Sequence, residues 1–136
     1  MIMTLNTHED AAQLEQGDII KVTLNPTVGH EQQDWRPCVV MSVQEWNAAT
    51  RGLILICPLT SNTNPNPNTQ ALWIDAAQTD CGVYGSAMLD QIRSIDVVAR
   101  QAKKVGRVID QQAIDHLSMG LSLIVGVNKS FFGDDS

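Results

Sequence analysis

Only one stretch of this chain, Asp110 to Val127, carries apolar residues at helical spacing. Everything before it is broken into short apolar runs separated by turn residues. In the C-terminal stretch Ile114, Leu117, Leu121, Ile124 and Val125 recur three or four apart, and Asp110 is a suitable N-cap. Upstream, strands are expected at Ile19 to Leu24, closed by Asn25 and Pro26, and at Pro37 to Val43, where Val39, Val40 and Met41 read as buried on both faces. Further strands are expected over Leu53 to Leu59, Ala71 to Asp75, Val83 to Ile92 with a bend at Gly85, and Lys104 to Val108. Two helical turns are expected over Gln44 to Thr50 with Trp46 facing inward, and a short helix capped by Thr7 runs toward Leu14. The fold class is therefore α+β and mostly β, a small barrel-like sheet with a C-terminal helix.

One domain is expected: a polar N-terminal extension over 1–16, the domain over 17–127 and a flexible tail over 128–136. Two long irregular segments interrupt it. Asn25 to Trp35 centres on His30, Glu31 and Gln32, and Ser61 to Thr69 (SNTNPNPNT) has too many turn residues for regular structure. No apolar run approaches the ~20 residues of a membrane span. The first ten residues lack the basic-then-apolar pattern of a signal peptide, so a cytoplasmic location is expected.

Cys38, Cys57 and Cys81 are odd in number and unpaired in spacing, which argues against both a disulfide framework and a zinc knuckle. The three histidines are isolated, so neither a metal nor another cofactor is expected. No Gly-rich phosphate loop and no G-x-S-x-G is present. The net charge of -6 counts against a nucleic-acid partner. Its distribution softens that reading, because Arg93 to Arg107 holds five basic residues and one acid.

Polar residues flank the apolar runs at three places. His30, Glu31, Gln32, Trp35 and Arg36 precede the second strand; Thr60 and Ser61 follow the third; Asp90, Gln91 and Arg93 fall late in the Val83 run. Each has an ordinary structural alternative: Arg36 at a strand edge, Thr60 and Ser61 opening a turn, Asp90 paired with Arg93.

Taken in order, three blocks carry a resemblance. GDIIKVTLNPTVGHEQQDWRPCVVMS, then ICPLTSN, then MLDQIRSID followed by AR and KKVGRV resemble the conserved blocks of MazF/PemK toxins, and the matches run from Gly17 to Val127. The resemblance implies an SH3-like barrel with a C-terminal helix, acting as a homodimer. It also implies a metal-independent endoribonuclease on single-stranded RNA and a MazE-like antitoxin with an acidic, disordered segment. In that chemistry the ribose 2′-OH attacks the adjacent phosphate, leaving a 2′,3′-cyclic phosphate and a 5′-OH. Arg36 and Thr60 match the catalytic pair. Arginine holds two phosphate oxygens through parallel donors and threonine adds an oxyanion donor. Arginine's high pKa leaves open which group takes the 2′-OH proton. His30, Glu31, Gln32 and Asp90 match positions tied to RNA handling. Ser61, Gln91 and Arg93 stand beside them, and Trp35 is a stacking candidate. Met88 replaces an arginine of the Kid-like branch, which weakens a catalytic claim for Asp90. The alternatives are a CcdB-like toxin that binds DNA gyrase without catalysis, and an inactive binding module on the same fold.

Overall fold

A computed structural model describes residues 2–24, 35–61 and 72–126. His30, Glu31 and Gln32, the Asn/Pro segment from 62 to 71 and the tail after Gly126 lie outside the described residues. In chain order the elements are β1 (Met3–Thr4), α1 (His8–Ala12), β2 (Asp18–Thr23), β3 (Trp35–Val40), α2 (Gln44–Thr50) and β4 (Leu53–Thr60). They continue with β5 (Leu72–Ile74), β6 (Gly85–Ala87), β7 (Arg93–Asp96), β8 (Lys103–Arg107) and α3 (Gln111–Val125). Single 3₁₀ turns stand at Ala76–Gln78 and Leu89–Gln91.

All strand pairs are antiparallel, in the order β1-β8-β2-β3-β4-β6-β5. β4 is shared: its first half pairs β7 and its last two residues pair β6. Successive residues of the central strands are buried on opposite faces, as period-two geometry requires. Ile20, Val22, Cys38, Val40, Ile54 and Ile56 belong to one core with Leu5, Leu14, Ile95 and Val97. Since Leu5 follows β1 at one edge and Ile95 lies in β7, which branches from β4 on the far side of β3, residues from well-separated strands meet in that core, so the sheet is rolled. Ile19, Val39, Cys57 and Leu59 point the other way, into a second core closed by Ile114 and Leu117 of α3. This is the mostly antiparallel sheet with a C-terminal helix that the sequence led us to expect.

Three local outcomes differ from the sequence reading. In α2 it is Asn47 that is buried, while Trp46 is 55% exposed. Asn47 Nδ2 donates to the carbonyls of Leu14 at 2.9 Å and Ser42 at 3.1 Å, so a hydrogen-bond demand, not an apolar one, turns the helix. The Val83 to Ile92 run is not a single strand. β6 covers three residues, then the chain turns through Leu89–Gln91 and restarts as β7, so Asp90, Gln91 and Arg93 stand at a corner. Finally, α3 buries Ala113, Ile114 and Leu117, but Ile124 and Val125 at its end are exposed.

The first sixteen residues are polar in composition, yet the described ones, 2–16, are docked. Thr7 caps α1 in a reciprocal box with Asp10, β1 adds to the edge of β8, and Leu5, Ala11 and Leu14 are at most 1% exposed. Asp18, fully buried at the start of β2, accepts from the Glu15 amide at 2.8 Å. It also lies 3.3 Å from both Lys104 Nζ and Arg107 Nη1. Much of the basic stretch is therefore used inside the fold.

Candidate active site

The register of β3 and β4 explains why Arg36 and Thr60 meet. Cys38 faces Pro58, Val39 faces Cys57 and Val40 faces Ile56. Continuing that antiparallel register by two residues sets Arg36 opposite Thr60 on the same face, just past the last registered pair. Arg36 Nη1 donates to the Leu59 carbonyl at 3.2 Å, which fastens the guanidinium beside the end of β4. From the other side, β6 presses on the same point, with Thr60 facing Ser86. A Cβ on Gly85 would sit 2.7 Å from the Thr60 carbonyl oxygen, and Gly85 has φ +149°, so glycine is required for this approach.

Two open hollows share Arg36 and Thr60 as their common rim. The larger, about 600 Å³, lies at the mouth of the rolled sheet, with Leu24 and Pro58 as apolar lining and Gln91 and Arg93 as polar lining. The smaller, about 270 Å³, opens on the opposite face between Trp35 and Tyr84, with Pro37, Leu59 and Ser61. Alternation along the strands puts Arg36, Pro58 and Thr60 toward the first hollow and Trp35, Pro37, Leu59 and Ser61 toward the second. The structure thus brings together Arg36, Thr60, Ser61, Trp35, Gln91 and Arg93 among the residues anticipated from sequence. Asp90 is exposed and lines neither hollow. Tyr84 was not anticipated. An isolated aromatic beside a glycine gave no periodic signal, and only the pairing of β5, β6 and β4 reveals its position.

Lys103 Nζ lies 5.1 Å from the Trp35 ring centroid, a cation–π arrangement that holds the indole. Lys104 is instead committed to buried Asp18, so the two lysines of the basic stretch have different duties. Below the rim, burial pushes the Cys38 thiol up to about 12, and the Arg36 and Arg93 guanidiniums only partly oppose it. Burial likewise pushes the Cys57 thiol up to about 12, reinforced by Cys38 and by the Asp90 charge. A thiol held neutral on folding stabilises the fold below its ordinary value of 9.0, and that stability is lost as pH rises toward the folded value. We therefore expect native protein to alkylate at half-buried Cys81 while Cys38 and Cys57 are spared. Denaturation midpoints should fall progressively above pH 9, with a slope of up to about 1.4 kcal/mol per pH unit for each thiol. Equal labelling of all three cysteines in the native state would contradict the burial.

Among the described residues no group of three or more His, Cys, Asp or Glu could hold a metal ion. No helix among them is long and apolar enough to cross a membrane.

Comparison with known proteins gives the same assignment from independent directions. Residues 15–125 match the family of PemK-like, MazF-like toxins of type II toxin–antitoxin systems. The endoribonuclease toxin ChpB of Escherichia coli K12 is 34% identical over 101 residues, covering 74% of this chain and 84% of ChpB. The crystal structure of MazF from Deinococcus radiodurans superposes with a TM-score of 0.67 at 27% identity, covering 84% of this chain and 97% of that one. A MazE–MazF complex from the same organism superposes with a TM-score of 0.69 at 24% identity, covering 85% and 98%, and supports the fold. The rolled antiparallel sheet, its C-terminal helix and the matched sequence place this chain in the PemK-like, MazF-like family of type II toxins, whose relative ChpB is an endoribonuclease.

Proposed function

We propose that this protein is a cytoplasmic, sequence-specific endoribonuclease that cuts single-stranded RNA at the Arg36–Thr60 rim without a metal. The observation that carries the reading is the shared rim itself. An arginine and a threonine face one another between two hollows, so a phosphate held there leaves room for one nucleoside on each side. The 2′-oxygen attacks phosphorus, the bond from phosphorus to the 5′-oxygen breaks, and one proton leaves the 2′-OH while another reaches the departing 5′-oxygen. The products are a 2′,3′-cyclic phosphate and a 5′-OH. Arg36 offers parallel charged donors to the non-bridging oxygens, and the Thr60 hydroxyl adds one more to the developing charge. Arg93 and Gln91 hold the strand in the larger hollow.

An antitoxin partner follows from membership in a toxin–antitoxin family. The cationic Arg36 and Arg93 suit an extended acidic segment that orders on binding and covers the rim. A homodimer is part of the same proposal, with the exposed apolar end of α3, Met119, Leu123, Ile124 and Val125, available as contact surface.

Purified protein incubated with long single-stranded RNA in EDTA should give discrete cuts bearing cyclic-phosphate and 5′-OH ends. Cleavage that appears only with added magnesium, or that leaves 5′-phosphate ends, would rule out this chemistry.

A further inference from the structure

The smaller hollow has features of a base site that a phosphate clamp alone does not require. Tyr84 is 50% exposed and forms one wall, Trp35 forms another, and Arg36, Thr60 and Ser61 lie between them. The Tyr84 ring is held from behind. Its centroid lies 5.9 Å from that of Trp73, with the planes tilted at 45°, within the range of stabilising aromatic pairs. Trp73 is fixed in turn, because its Nε1 donates to Asp75 Oδ1 at 2.8 Å. The Asp75 backbone amide is taken by Gln78 Oε1, also at 2.8 Å. On the far wall, Lys103 covers the Trp35 ring. Both aromatic walls are thus oriented by partners outside the hollow, while Tyr84 keeps half its surface toward solvent. An aromatic ring left exposed yet fixed in direction is suited to stacking on a planar ligand, at little cost in ordering.

Resting on the nuclease reading above, we infer that Tyr84 is the stacking residue for the nucleobase next to the scissile phosphate, with Trp73 as the residue that positions it. The base enters the hollow between Trp35 and Tyr84 while its phosphate sits at the Arg36–Thr60 rim. Ser61, at the edge of the hollow, is placed to hydrogen-bond the base edge and so to contribute to motif choice. Tyr84 takes no part in proton transfer. Its contribution falls on substrate binding and on the choice of cut site.

The test uses an RNA oligonucleotide carrying the mapped cleavage motif and two versions with an abasic nucleotide, one on each side of the scissile phosphate. Wild type is compared with Tyr84→Ala, Tyr84→Phe and Trp73→Ala, with folding verified by circular dichroism. Tyr84→Ala should raise KM by about 5- to 100-fold and broaden the set of cut sites, as expected for loss of one stacked base. Tyr84→Phe should behave as wild type, and Trp73→Ala should show part of the same loss. For wild type, one of the two abasic oligonucleotides should be cut with a similarly raised KM. For Tyr84→Ala that abasic penalty should vanish. A folded Tyr84→Ala enzyme with unchanged KM and cut sites, or with the full abasic penalty, overturns the base site and leaves the nuclease standing. Should Tyr84→Ala not fold, Tyr84→Leu takes its place under the same criteria. Wild-type protein that leaves every RNA intact overturns the nuclease reading and the base site together.

Discussion

Replacing Arg36 by alanine is expected to reduce RNA cleavage by about 10³-fold or more while the protein stays folded. The activity loss follows from the chemistry of the rim. Removing a single oxyanion donor costs enzymes about 10²–10³ in turnover, and Arg36 supplies several charged donors at once. The folding side follows from position. Arg36 is half-buried at the start of β3, and its hydrogen bond to the Leu59 carbonyl is worth about 1 kcal/mol. Lysine should not rescue the loss, since a point charge cannot span two phosphate oxygens as a planar fork does. Gel assays of cleavage beside thermal melts would check both halves. An Arg36→Ala enzyme that cuts at the wild-type rate would remove the mechanism, and a variant that no longer melts cooperatively would move Arg36 from chemistry to architecture.

The second large effect concerns stability. Deleting residues 1–14 is expected to prevent folding, although composition alone reads this segment as a polar addition. Leu5 and Leu14 are fully buried in the core inside the rolled sheet, and the Leu14 carbonyl accepts from Asn47. Truncating one such leucine to alanine costs about 2–5 kcal/mol. A domain of this size has a total stability of only about 5–15 kcal/mol. Loss of both leucines, of Ala11 and of the β1 pairing therefore exhausts most of it. Leu14→Ala alone should fold with a lowered denaturation midpoint, giving a graded measurement where the deletion gives an unfolded chain. A truncated protein that melts like the full chain would show that these side chains do not support the core.

Much of this was legible in the sequence, for identifiable reasons. Elements whose boundaries are chemical were read closely: α3 opens at Asp110, whose side chain accepts from the Gln112 amide, and α1 opens at Thr7. The double burial of β3 was readable because Cys38 to Met41 is apolar without interruption. Trp46 and Asn47 were misassigned between them, because a helix of two turns has too little periodicity to choose a face. The polarity of the first sixteen residues concealed three anchors spaced among charged ones. Arg36 and Thr60 were singled out as candidates through their blocks, but their opposition depends on a β3–β4 register that no local pattern specifies. Trp73 lies in β5 and Tyr84 just ahead of β6, and they become neighbours only because β5 and β6 pair.

The central strands raise a question about frame. In a sheet with one wet face, a slip of one residue exposes every core side chain, and hydrophobicity alone forbids it. Here Ile19 and Ile20, Val39 and Val40, and Ile56 and Cys57 are buried on opposite sides, so a slipped strand would exchange similar side chains between two dry interiors. Oil cannot tell these alignments apart, but ions can. Asp18 is the buried carboxylate between Lys104 and Arg107, and the β2–β8 pairing shifts at Ile19/Ile20 so that both cations reach it. A misaligned β2 would strand that carboxylate in the interior at a cost of several kcal/mol. Asp18 thus serves as the address label of the sheet, and Asp18→Leu is the substitution most apt to leave a protein that is compact but read in more than one frame.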